Sequence, residues 1–169
     1  MKNLYRTYFT PVRALLFFSI LALVLYLVAT QVRGQSILQK FEVAPLTIEL
    51  ADGRRHDFQV EMAENRDQQV QGLMYRRSLD PAAGMLFVYD NEAERTMWMK
   101  NTLIPLDMVF IGEDGQVVSY HERAVPESLA TISSGLPAMA VLELNSGTIS
   151  RLGIQPGDRV LHPAFGNTP

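Results

Sequence analysis

Cysteine is absent from the 169 residues, which excludes a disulfide framework, a thiolate nucleophile and a cysteine-ligated zinc. The fold must then stand on its packed core alone. Histidine is scarce as well: His56, His121 and His162 lie far apart and form neither an HxH nor an HExxH spacing, so no metal site is expected. No glycine-rich loop follows a strand pattern, and no Walker sequence or nucleophile elbow occurs, so no cofactor is expected either. In GMLFVY the glycine stands in front of a strand-like run that contains no nucleophile. Acidic residues are missing from the start of the chain. All 18 lie after Gly34, whereas four of the 15 basic residues (Lys2, Arg6, Arg13 and Arg33) precede Gln35, leaving 11 basic against 18 acidic and a formal charge of −7. Such a domain repels phosphates, which argues against a nucleic-acid partner.

What is present at the start is an uncharged apolar run, residues 14–29 (ALLFFSILALVLYLVA), preceded by Lys2, Arg6 and Arg13. The positive-inside bias places the N-terminus in the cytoplasm and the rest of the chain outside it, either periplasmic or tethered to the outer face of the cytoplasmic membrane. Residues 14–32 sit at the boundary between the short apolar region of a cleaved signal peptide and the roughly 20 residues of a spanning helix. Val32-Arg33-Gly34, ahead of Gln35, is the best cleavage candidate; if it is uncleaved, residues 14–32 contact the inner membrane. The reading is residues 1–34 as signal peptide or anchor, 35–43 as linker and 44–166 as one domain.

The domain reads as β-rich. Leu46, Ile48 and Leu50 alternate with polar neighbours, Asp52-Gly53 signals a hairpin turn, and Phe58, Val60 and Met62 resume the alternation. Asn65 followed by Gln68 has capping-box spacing, and Gly72 suits a helix end, which predicts a helix over residues 66–71. A second helical piece is expected over residues 78–83. Strands are expected over residues 85–89, 95–99, 106–111, 116–121, 138–144 and 159–162, with a brief helix over 148–152 closed by Gly153. Seven to eight short strands with two or three short helices indicate a mainly β fold, a small sandwich or barrel, behind an N-terminal membrane or signal helix.

QGLMYR, GMLFVY and MWMKNTLIPLD crowd into residues 71–107 a mixture of apolar and charged side chains that no ordinary core needs, and LELNSG and LGIQPGDRV follow in order. Together these motifs resemble the DUF192 family over about residues 44–165. The resemblance implies a small, mostly exported bacterial or archaeal domain, and implies no reaction.

Site candidates come from the MWMKNT stretch. Strand alternation would put Met97 and Met99 on one face and Trp98 and Lys100 on the other, with the loop ahead of Pro105 at a sheet end and Asp107 able to reach back to it. Asp107 lies in an otherwise apolar run, so it either pins the loop through Arg76, Lys100 or backbone amides, or serves a site. Arg76 either binds an anionic ligand group or bridges to Asp107. Lys100 either snorkels over Trp98 or binds a ligand, and Trp98 is either core or a stacking platform. The leading reading is a non-catalytic ligand-binding or interaction module of the envelope, with a cleft rimmed by Arg76, Trp98, Lys100, Asn101 and Asp107 and a small polar ligand or envelope component as partner. Two alternatives remain open. One is an enzyme acting on an envelope glycan or other small polar substrate with Asp107 as acid or base, paired with Glu64 or Glu143. The other is a copper-handling protein using the thioethers of Met97 and Met99.

Overall fold

A computed structural model describes residues 18–24 and 39–168 of the chain. Residues 18–24 are helical, while the rest of the 14–29 segment, the Val32-Arg33-Gly34 candidate and residues 35–38 of the linker lie outside the described residues. Among the described residues no helix is long and apolar enough to cross a membrane.

The unit that begins at Gln39 is mainly β. Its strands are β1 (Glu42–Glu49), β2 (Arg55–Ala63), β3 (Ala83–Met97), β4 (Leu106–Ile111), β5 (Val117–Ala124), β6 (Ile132–Asn145) and β7 (Arg159–Leu161). Three short helices accompany them: α1 (Arg66–Gln71), α2 (Thr148–Leu152) and a 3-10 turn, Pro163–Phe165. All seven strands form one sheet in the order β5-β4-β6-β3-β2-β1-β7. The sheet curls until its edges meet: Gln116 bridges to Arg159, Val117 N donates to Asp158 O at 2.8 Å, and Val160 N donates to Gly115 O at 2.8 Å. Gly115 permits that seam, because its φ is +82° and a Cβ there would lie 2.6 Å from Val160 O. The result is a curled half-barrel rather than two stacked sheets, so of the two expected architectures the barrel-like one forms and the sandwich does not.

The hairpin β1–β2 pairs from Glu42↔Met62 to Glu49↔Arg55, as the alternation and the Asp52-Gly53 turn predict. The capping box forms too, with Asn65 accepting from Gln68 N and the Gln68 side chain accepting from Asn65 N. Two expectations fail. Residues 85–89 and 95–99 are not separate strands; β3 runs through to Met97, and its pairing with β6 skips from Val88↔Ala140 to Ala93↔Ala138 as a bulge that bends the long strand. Residues 78–82 form a loop that ends in a turn, with Ala83 already in β3, instead of a helix. Asn145 Nδ2 donates to Leu79 O and Asp80 O, and the chain must extend there to lay β3 parallel to β2.

Two apolar layers clothe the sheet. Leu46, Ile48, Val60, Leu86, Val109, Leu142 and Leu144 fill the concave side with Ile149 and Leu152 of α2, while Met85, Phe87, Met108, Phe110 and Val141 pack the outer side with Leu73 and Met99. Strand parity divides the side chains of β4 and of the 140–144 run of β6 between the two layers, and both stretches are buried on two faces.

Candidate functional site

Two carboxylates interrupt these apolar layers, on opposite faces. Asp107 shares its parity with Val109 and Ile111 and so points to the concave side, where it is fully buried. Its Oδ1 accepts from Arg123 N at 2.8 Å and its Oδ2 from Ile149 N at 2.9 Å. Ile149 is in the first turn of α2, whose N-cap is Gly147, a residue with no side chain to cap with. Asp107 supplies that cap from a neighbouring strand, and at the same time holds the positive-φ kink at Arg123. It is architecture, bound to backbone amides and to neither Arg76 nor Lys100.

Glu143 has the opposite parity. It lies between Met85 of β3 and Met108 of β4 in the register, on the outer face. It is 4% exposed and has no hydrogen-bond partner among the described residues. Burial alone pushes its carboxyl up to about 8, so it is protonated at neutral pH. Gly84 makes room for β6 here: a Cβ at that position would stand 2.7 Å from Glu143 O and 2.9 Å from Leu144 Cδ2.

Above Glu143 opens a cleft of about 190 Å³ whose floor also includes Phe87 and Tyr89. One wall is α1 and the chain after it, with Arg66, Gln69 and Met74; the other is the end of β3 and its loop, with Met97, Trp98, Lys100 and Thr102. Gln69 Nε2 donates to Val88 O at 2.7 Å and locks α1 to β3. Tyr75 N donates to Asn101 O at 2.9 Å, and Asn101 Nδ2 donates to the Tyr75 hydroxyl at 3.0 Å, which ties the two walls together. Both residues hold positive φ to do so.

Trp98 is 48% exposed, and Lys100 Nζ sits 5.2 Å from its ring centroid. On the floor, the Tyr89 hydroxyl donates to Met97 Sδ at 3.7 Å and the Arg95 guanidinium stacks 4.1 Å from the Tyr89 ring. The Tyr89 phenol is raised above its ordinary value chiefly by burial, lowered in part by Arg95 and raised a little further by Glu143.

Of the residues expected from the sequence, Trp98 and Lys100 meet at this cleft. Arg76 does not: its guanidinium makes two 2.5 Å hydrogen bonds to Glu61, beside Phe41. Asn101 ties the walls without lining the cleft, and Asp107 is sealed on the other face. Met97 reaches the cleft but Met99 is fully buried in the core, so the thioether that shares the cleft with Met97 belongs to Met74. Glu143, Tyr89 and Arg66 escape the sequence reading as a cleft set. The one available signal is a lone acid inside the apolar run of LELN. A larger, more open hollow of about 490 Å³ lies near His56, Asn145 and Arg151. Its Asn145 is engaged by carbonyls and its Arg55 by Glu49. Among the described residues no three His, Asp or Glu side chains gather as metal ligands.

Comparison with known proteins places this geometry. No curated protein matches the chain significantly. A solved structure from Sinorhizobium meliloti 1021, described as a candidate transcription regulator, is 47% identical with a TM-score of 0.73, covering 75% of this chain and 98% of that one. A protein of unknown function from Novosphingobium aromaticivorans DSM 12444 is 38% identical with a TM-score of 0.70, covering 75% of this chain and 89% of that one. The profile of DUF192, "Uncharacterized ACR", matches residues 47–162, most of the curled sheet and both carboxylates included, and the chain belongs to that family.

Proposed function

We propose that the protein is a non-catalytic binding module of the cell envelope, which takes a small polar ligand into the cleft between Trp98 and Glu143. The observation that carries this reading is the Glu143 carboxyl: buried, without a hydrogen-bond partner, and lining a cleft. The carboxyl oxygens open onto the cleft and are not sealed from it, so a ligand there can supply the hydrogen bonds that the protein does not. The enzymatic alternative loses support, because Asp107 is saturated by two amides and faces away from Glu143, so the two do not flank a common bond. Regulation of transcription, the description attached to one relative, is not carried over, since the −7 domain repels DNA phosphates.

The envelope address rests on the N-terminal run behind Lys2, Arg6 and Arg13. A reporter fused after Phe165 tests it: activity of a reporter that works only in the cytoplasm would rule export out, and mass spectrometry of the mature N-terminus separates cleavage from anchoring. Binding is read through Trp98, the single tryptophan of the chain. Envelope glycan fragments, short peptides, anionic metabolites and Cu(I) are screened for a shift in its emission. At least one class is expected to move it, and Lys100→Ala is expected to weaken that response without unfolding. A Cu(I) response lost in Met97→Leu and Met74→Leu would favour metal handling instead.

A further inference from the structure

We propose that the cleft takes a small zwitterion, its ammonium group on the Glu143 carboxylate beside the Phe87 and Tyr89 rings and its anionic group at the mouth on Lys100 and Arg66. This rests on the binding-module reading and adds the class of ligand. The charges of the cleft are ordered by depth. Glu143, buried on the floor, is the one acid that lines it; Arg66 and Lys100, both exposed, are its basic residues, and neither pairs with an acid among the described residues. A ligand complementary to that order carries its positive end inward and its negative end outward. Three aromatic residues, Phe87, Tyr89 and Trp98, line the same space and favour an organic cation over a neutral group.

The groups packed against Glu143 leave it free to respond. β4 presents Met108 and β3 presents Met85 and the Tyr89 phenol, while α1 contributes uncharged Gln69 and, at the mouth, Arg66; the loop after β3 contributes Lys100. With no partner in place the carboxyl holds its proton. When an ammonium group arrives the carboxyl releases that proton to solvent and a buried ion pair forms, with no other bond made or broken. A cleft of about 190 Å³ accommodates an amino-acid-sized molecule.

The test uses the full chain and five four-carbon probes: L-2-aminobutyrate, 4-aminobutyrate, n-butylamine, butyrate and butyramide. Heat of binding is measured at about pH 6, 7 and 8 in two buffers of different ionisation enthalpy, with Trp98 emission in parallel. At least one zwitterion is expected to bind with release of close to one proton at pH 6 and 7 and about half a proton at pH 8, where Glu143 begins to ionise unaided, its Kd falling about tenfold per pH unit below that. n-Butylamine is expected to bind at least about tenfold more weakly, and the other two probes more weakly still. Glu143→Gln is expected to abolish proton release and Lys100→Ala to bring the zwitterion down to the level of n-butylamine with proton release intact, circular dichroism confirming that both are folded. Butyrate or butyramide shifting Trp98 as well as the zwitterions do, without proton release, overturns the ligand class and leaves the binding module standing. Silence from all five probes, in heat and in fluorescence, overturns both.

Discussion

Replacing Glu143 by glutamine is expected to stabilise the fold, by an amount set by pH. The folded carboxyl keeps its proton up to about pH 8, whereas the same group in the unfolded chain releases it near 4.5. Between those values the folded state holds one more proton than the unfolded state, so wild-type stability falls as pH rises, by about 1.4 kcal/mol per unit. Below about pH 4.5 both states are protonated and the effect vanishes. Glutamine keeps the shape and cannot ionise, so it should show no such slope. The variant's advantage over wild type should therefore start near zero at pH 4.5, reach about 3 kcal/mol at pH 7 and level off at about 5 kcal/mol above pH 8.

Urea unfolding of both proteins at about pH 4.5, 7 and 8.5, followed by far-ultraviolet circular dichroism, measures this directly. Other titrations are common to both chains and cancel in the difference. Wild-type and variant midpoints that stay parallel across the range would refute the reasoning, because they would mean that Glu143 is solvated or already paired when the protein folds.

Asp107→Asn should destabilise by about 3 kcal/mol, since the amide keeps one acceptor and turns its NH₂ toward an N–H of Arg123 or Ile149, whereas Lys100→Ala should change stability by about 0.5 kcal/mol or less; urea midpoints of the two compare them. Gly84→Ala should cost about 1–3 kcal/mol and lower the thermal midpoint, because its Cβ would meet backbone of β6 at 2.7 Å. Arg76→Ala should cost about 1 kcal/mol or less, its ion pair with Glu61 being partly exposed, and should leave Trp98 emission unchanged, which would confirm by fluorescence that Arg76 is no part of the cleft.

Local signals in the sequence are the ones that translate into structure. The β1–β2 hairpin follows from alternation plus Asp52-Gly53, α1 from the Asn65/Gln68 box, and β4 from a run that is apolar but for Asp107; all three form where expected. The parallel placement of β3 against β2, the passage of β3 through its acidic bulge, and the seam between β5 and β7 depend on pairings of distant segments, which no window of sequence displays. The cleft divides the same way. Trp98 and Lys100 announce themselves as a bulky indole and a charge in one short stretch, while Glu143 and Arg66 join them only through the fold. Arg76 and Asp107 look like partners because both are charged in an apolar neighbourhood, yet strand parity sends Asp107 to the concave face and Glu61 takes Arg76.

Asp107 and Glu143 belong to adjacent strands, one step apart in register, and they separate the two uses of a buried acid. Asp107 meets two backbone amides that the fold would otherwise leave bare, one at a helix start behind a glycine and one at a kink, so its charge is matched within the protein. Glu143 stands where its neighbours in register, Met85 and Met108, show that an apolar side chain fits, and there it lowers stability at neutral pH without satisfying anything. Were its role structural, a methionine or leucine would seal the floor and hold the sheet better. A carboxyl that works against the fold where it lines an aromatic cleft is what the proposed binding role accounts for, on the face of the sheet opposite the packed interior that Asp107 secures.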